Sequence, residues 1–226
     1  LVTGATIKGV DAVQRNDLNR RNAENLSIGW NNVFAIGDTT NLTIDASWSK
    51  ATRTYFLLAT YTGTGYATSG PDDSIRITAN PNGTFDIVPT LNYANPAIIG
   101  ITDPRGWGYN GTTAVVQAGF LNRPDFKDDL KALRASLDGE FGGDSILRSW
   151  EFGVNASRRK KTSAYTSFFL CPKGGGTNCT VASGTPTFIS VPADAILDKT
   201  VSLDYLGVPQ MLTLDPLYLY NNSLNA

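Results

Sequence analysis

The sequence predicts an all-β chain, an antiparallel meander of long hairpins, and three observations carry that expectation. Two pairs of segments alternate apolar and polar residues with the two-residue period of a strand between unlike environments. Each pair is joined by a short, glycine-bearing polar turn. Much of the rest is dense in the Gly, Pro, Asn and Asp residues that punctuate turns.

In the first hairpin Leu26, Ile28, Trp30 and Phe34 share one face, and Asn25, Ser27, Gly29 and Asn31 the other. The turn is Gly37-Asp38-Thr39-Thr40. Beyond it Leu42, Ile44, Ala46 and Trp48 alternate with Thr43, Asp45, Ser47 and Ser49. The apolar run Tyr55-Phe56-Leu57-Leu58 prolongs this second strand well past the ~9–11 residues that cross a bilayer. The same alternation suits a soluble two-sheet sandwich, because periodicity does not name the apolar solvent.

Residues 62–127 follow, a turn-dense segment in which Asn82-Gly83 and Asn110-Gly111 are hairpin-turn signals. Short strands are expected at 74–78, 84–88 and 114–118. Within it Arg105, Trp107 and Tyr109 stand among glycines, a mixture suited to gripping a polar ligand; the alternative is that Trp107 and Tyr109 pack the segment's own small core. Long segments of this kind in compact domains are usually functional.

The second hairpin repeats the pattern of the first. Leu133, Ala135, Leu137 and Phe141 alternate with Arg134, Ser136, Asp138 and Glu140; Gly142-Gly143-Asp144-Ser145 turns the chain; Trp150, Phe152, Val154 and Ala156 then alternate with Glu151, Gly153, Asn155 and Ser157. The basic run Arg158-Arg159-Lys160-Lys161 reads as a solvated or headgroup-facing strand end. Further on, Cys171 and Cys179 flank a polar glycine loop that lets them reach bridging distance, a closure worth about 2–3 kcal/mol. Such a bridge points to an oxidising compartment.

Composition excludes several function classes. The chain has 226 residues, 17% of them charged, a net charge of -1 and no histidine. There is no basis here for nucleic-acid binding. Without histidine there is no Ser-His-Asp or Cys-His relay, and two thiols alone do not complete a zinc site. No cofactor or metal is expected. The acid pairs Asp72-Asp73, Asp128-Asp129 and Glu140/Asp144 leave glycosidase-type chemistry open, although each lies at a turn or strand end where exposed acids are ordinary. No run reaches the roughly 18 apolar residues of a membrane helix. The first residues, Leu1 to Val10, read as the middle of a strand, and the chain reads as a piece of something longer.

The order of strand, short turn, long strand, very long loop, strand, short turn and strand, led in by Asp-Leu-Asn-Arg-Arg-Asn-Ala-Glu-Asn-Leu (17–26) and closed by Phe-Gly-Val-Asn-Ala-Ser-Arg-Arg-Lys-Lys (152–161), resembles the barrel portion of TonB-dependent outer-membrane receptors of Gram-negative bacteria. The likeness covers most of residues 15–165. It implies that residues 1–226 are a segment of one transmembrane β-barrel domain, with 62–127 a long extracellular loop region and 162–226 a second one carrying the cystine loop. The turns at 37–40 and 142–145 would be periplasmic. Trp30, Trp48, Trp150 and Phe152 would face lipid, while Asp45, Ser47, Ser49, Glu151 and Asn155 would line the lumen.

The resemblance also implies a bacterial outer-membrane location, no enzymatic activity, and energised uptake of a scarce nutrient such as a siderophore or oligosaccharide, with Arg105, Trp107 and Tyr109 as ligand contacts. Its partners would be outer-membrane lipid, the remainder of its own barrel and plug, the small nutrient, and TonB acting through the plug. The family's plug domain, TonB-box peptide and aromatic terminal strand are not in this sequence. A competing class is a secreted, self-associating β-rich surface or adhesin protein, for which seven Asn-x-Ser/Thr sequons would be suitable.

Overall fold

The computed structural model describes residues 3–67, 69–143, 146–174 and 178–225. The strands are β1 (Gly4–Val10), β2 (Val13–Ile36), β3 (Thr40–Gly63), β4 (Asp73–Ala79), β5 (Phe85–Val88), β6 (Gly100–Thr102), β7 (Gly119–Glu140), β8 (Ser149–Pro172), β9 (Phe188–Ser190), β10 (Val201–Leu203) and β11 (Val208–Met211). One short helix, α1 (Pro216–Asn222), and strand β12 (Leu224–Asn225) follow. The chain is all-β in class, as its periodicity predicts.

Hydrogen-bonded neighbours run β12-β8-β7-β3-β6-β9, with β2 beside β3; β1-β4-β5 and β10-β11 form two smaller sheets. The long strands β2, β3, β7 and β8 are therefore sequential neighbours, and no closed barrel forms among the described residues. Gly37 makes the first turn with φ +70°, a left-handed conformation that glycine adopts without steric cost. In the second turn, Asp144 and Ser145 lie outside the described residues.

The chain divides into two compact units. The first comprises residues 1–20, 56–122 and 167–226. Its core gathers Leu58, Ile99, Ile101, Ala118, Leu121, Leu170, Leu214 and Leu219, all essentially without solvent contact. The segment expected to be a long loop thus supplies a large part of a packed interior. Ile101 pairs with Thr62 on one side and with Ile189 on the other. Gly100 lies beneath the Phe188 ring, which would have to shift for a β-carbon that would otherwise lie 2.2 Å from it.

Two local expectations change. Residues 114–118 form only isolated bridges at Ala114 and Val115, since the backbone there is spent on Gly108 and Cys179 rather than on a continuous ladder. Cys171 is buried at the end of β8, not exposed in a polar loop; it is bonded to Cys179 with the α-carbons 5.5 Å apart. The aromatic run 217–220 is helical, started by Asp215, whose carboxylate accepts the Leu217 and Tyr218 N–H groups ahead of Pro216 at the first helical position.

The second unit comprises residues 21–55 and 123–166, drawn from β2, β3, β7 and β8. Its side chains fix the register across neighbouring strands. Asn31 Nδ2 donates to Asp45 (3.3 Å), Asn41 Nδ2 to Asp138 (3.3 Å), and Arg134 pairs with Glu151 (3.3 Å). Asn31, Asp45, Arg134, Asp138 and Glu151 belong to the polar alternating sets, and Asn41 extends that of β3 by one step. Directly opposed residues share a face, so the four polar stripes lie on one side of the sheet and the four apolar stripes on the other.

Candidate functional site

In the first unit, the residues singled out for ligand contact sit on a loop organised by a carboxylate. Asp103 is 0% exposed. It accepts the N–H groups of Trp107 (3.0 Å), Gly108 (2.8 Å) and Gln117 (3.3 Å), while its own carbonyl accepts those of Ala67 and Gly106 (both 3.1 Å). Gly108 has no room for a β-carbon, which would lie 2.2 Å from the Val115 carbonyl oxygen. At the tip, Asn110 Oδ1 accepts from Thr112 and Thr113, an Asx-type turn.

The Asp103 carboxylate takes up only backbone N–H groups and leaves the side chains at 105, 107 and 109 outside. Trp107 is 61% and Tyr109 58% exposed, and Arg105 is exposed beside them. The alternative that the two rings pack a small core of their own is thereby overturned: the backbone hydrogen bonds to Asp103 hold the loop without them. Two rings and a guanidinium on a fixed backbone can stack on a ligand and pair with its anionic or hydroxyl groups.

In the second unit the two faces differ in kind. On the apolar side Trp30 is 49% and Phe152 68% exposed, with Leu26, Ile28, Phe34 and Leu133 exposed between them. Trp48 and Trp150 are half-buried on the same side. Trp48 donates its indole N–H to Asp129 at 2.9 Å, and Trp150 lies over Gly139.

The Trp150–Gly139 contact leaves no space for a side chain, since a β-carbon on Gly139 would come within 2.7–2.8 Å of three indole atoms. Gly139→Val is expected to displace the indole, shift the tryptophan emission and cost about 1–3 kcal/mol in denaturant unfolding. Gly142→Ala, where a β-carbon meets nothing within 4 Å, should leave both unchanged.

The polar side carries two grooves. One, of about 910 Å³, is bordered by Asp45, Arg134, Asp138, Glu140 and Glu151. The other, of about 710 Å³, is bordered by Arg53, Phe126, Asp128, Arg159 and Lys161. Arg159 holds Asp128 through its Nε and Nη2, a charge-assisted fork geometry. Beside it Phe126 meets Tyr55 and Tyr165 edge-on, with centroids 6.0 and 5.6 Å away, and Arg53 donates to the Tyr55 hydroxyl at 3.1 Å. Sequence reasoning missed this aromatic row. Its signal was available: Tyr55 and Tyr165 interrupt otherwise polar alternating sets.

Three of the acids considered for glycoside hydrolysis are engaged in structural contacts, and Asp144 lies outside the described residues. Asp73 is buried and hydrogen-bonded to residues 74, 90, 91 and 93, Asp128 is held by Arg159, and Asp129 by Trp48. No group of three or more His, Cys, Asp or Glu residues suited to a metal occurs among the described residues. No helix among them is long and apolar enough to cross a membrane. No model of a known protein family matches this sequence, and a search of curated proteins finds no match to it.

Proposed function

We propose that this chain forms part of the wall and outer loops of an outer-membrane β-barrel receptor for energised nutrient uptake. One observation carries the reading. The sheet of the second unit exposes Leu26, Ile28, Trp30, Phe34, Phe152 and Val154 on one face, while its other face pairs Asn31 with Asp45, Arg134 with Glu151 and Arg159 with Asp128. A soluble sandwich would bury that apolar face against a second sheet. A barrel wall offers it to acyl chains and turns the paired polar face to water. In this reading Arg105, Trp107 and Tyr109 contact the nutrient, and a plug and TonB drive its release inward.

The test is quenching of tryptophan fluorescence by brominated acyl chains, in a Trp107→Phe background so that only Trp30, Trp48 and Trp150 report. Incorporation into phosphatidylcholine vesicles with strong quenching is the expected result. A chain that stays monodisperse without detergent and whose indoles are unaffected by brominated lipid overturns the proposal. Detergent-free fibres or oligomers would instead favour a self-associating surface protein, the outcome its unpaired strand edges would produce.

A further inference from the structure

Two Asn-Gly-Thr tripeptides occur in the first unit, Asn82-Gly83-Thr84 and Asn110-Gly111-Thr112. In an unfolded chain their local chemistry is the same, so any difference between them comes from the fold. Both asparagines and both glycines are exposed, and the glycines take φ of +84° and +96°. In each tripeptide the asparagine Oδ1 accepts both the N–H and the hydroxyl of the threonine two residues on.

The sites differ in the groups that govern attack on the side-chain amide. At the first, the Gly83 N–H is spent on the Asn80 carbonyl at 3.0 Å. At the second, the Gly111 N–H makes no hydrogen bond among the described residues, and Asn110 Oδ1 accepts a third donor, the Thr113 N–H at 3.0 Å. Donors converging on one carbonyl oxygen stabilise the oxyanion that forms when a nucleophile adds to its carbon. The tip is held around that oxygen by the Asn110 N–H, which donates to the Thr113 carbonyl at 3.2 Å, and by the bridge between Tyr109 and Ala114.

We propose that Asn110-Gly111 is a self-modifying site, at which the chain converts its own asparagine to aspartate and isoaspartate. The Gly111 nitrogen bonds to Asn110 Cγ, the Cγ–Nδ2 bond breaks, and the proton released from Gly111 departs with Nδ2 as ammonia. Water then opens the cyclic imide, at Cγ to give aspartate or at the Asn110 main-chain carbonyl carbon to give isoaspartate. Nucleophile and amide belong to adjacent residues, so the reaction is intramolecular and needs only solvent as co-reactant. Arg105 is the sole charged residue of 104–116, and the new carboxylate cancels its charge. The modification thus changes the electrostatics of the loop that presents Arg105, Trp107 and Tyr109, whether or not that loop serves a receptor.

The experiment incubates the whole chain, folded and in guanidinium chloride, in mildly alkaline buffer. Peptide mapping by mass spectrometry follows conversion at each asparagine, and an isoaspartate-specific methylation assay identifies the product. The unfolded chain supplies the reference ratio of the two rates. Relative to that reference, Asn110 in the folded chain is expected to react about 10-fold faster than Asn82, a factor within the reach of one or two hydrogen bonds. Thr112→Val removes one of the three donors and keeps both amides; compared with its own unfolded reference, it should slow Asn110 by about 3- to 10-fold and leave Asn82 unchanged. Equal folded-state rates at the two sites after this correction, a faster reaction at Asn82, a Thr112→Val rate equal to that of the parent, or no isoaspartate at residue 110 overturns the proposal.

Discussion

Replacing Asp73 with alanine is expected to destabilise the first unit by about 3–5 kcal/mol, measured by denaturant unfolding. The carboxylate is 1% exposed. One oxygen accepts the N–H groups of Ser74 (2.7 Å), Thr90 (2.7 Å) and Leu91 (3.1 Å) and the Thr90 hydroxyl (2.7 Å); the other accepts the hydroxyl of the half-buried Tyr93 ring. Alanine would leave the Thr90 and Leu91 amides and the Tyr93 hydroxyl without this acceptor, the Ser74 amide keeping the Thr90 hydroxyl oxygen at 3.2 Å, and an unsatisfied buried donor costs more than a satisfied bond contributes. Asp73→Asn, which keeps an acceptor oxygen in place, should cost less than half as much.

The same cluster sets a pH window. Burial pushes the Asp73 carboxyl up, but the Tyr93 and Thr90 hydroxyls and the Thr90 and Leu91 amides together hold it below its ordinary value. Its contribution is therefore complete above about pH 4, the unfolded carboxyl value, and is lost as the pH falls through the lower folded one. Burial, the hydrogen bond to Asp73 and that residue's charge all raise the Tyr93 phenol. Its share is complete below about pH 10 and lost as the pH rises further. Asp73→Asn should flatten the acid limb of stability against pH, and Tyr93→Phe the alkaline limb.

Asp103→Ala is expected to be the second most damaging change, at about 3 kcal/mol, because it orphans the Trp107, Gly108 and Gln117 amides around a fully buried carboxylate. Its signature differs from that of Asp73. Limited proteolysis should cut selectively within residues 104–116 at protease concentrations that leave the parent chain whole. Trp107→Ala, which removes an exposed ring, should leave both stability and cleavage unchanged. Equal resistance of Asp103→Ala and parent would show that the loop does not depend on the carboxylate.

What could be read from the chain depended on the range of the interaction. The alternation of Leu26, Ile28 and Trp30, or of Leu133, Ala135 and Leu137, is local, so strand type and the first turn were legible. Strand lengths were not: β2 begins at Val13, where the polar run Gln14-Arg15-Asn16-Asp17 hides the period, because Asn16 and Gln14 are committed to distant Leu214 and Tyr93. The segment 62–127 read as loop because its apolar residues, such as Ile99 and Ile101, find partners that are remote in sequence, including Leu170, Leu214 and Leu219. Around Trp107 the aromatic residues were visible. Asp103, which organises them, was not, since an aspartate before a proline ordinarily marks an exposed turn.

The loop carrying Arg105, Trp107 and Tyr109 separates scaffold from specificity. Asp103 grips peptide groups alone, so its hold is indifferent to which side chains those positions bear. Under the receptor proposal, substitutions at 105, 107 and 109 would change what the loop presents to a ligand with little thermodynamic penalty, while substitutions at 103, 106 or 108 would disturb the frame itself. If the proposal holds, homologues are expected to vary most at 105, 107 and 109 and least at the aspartate and glycines between.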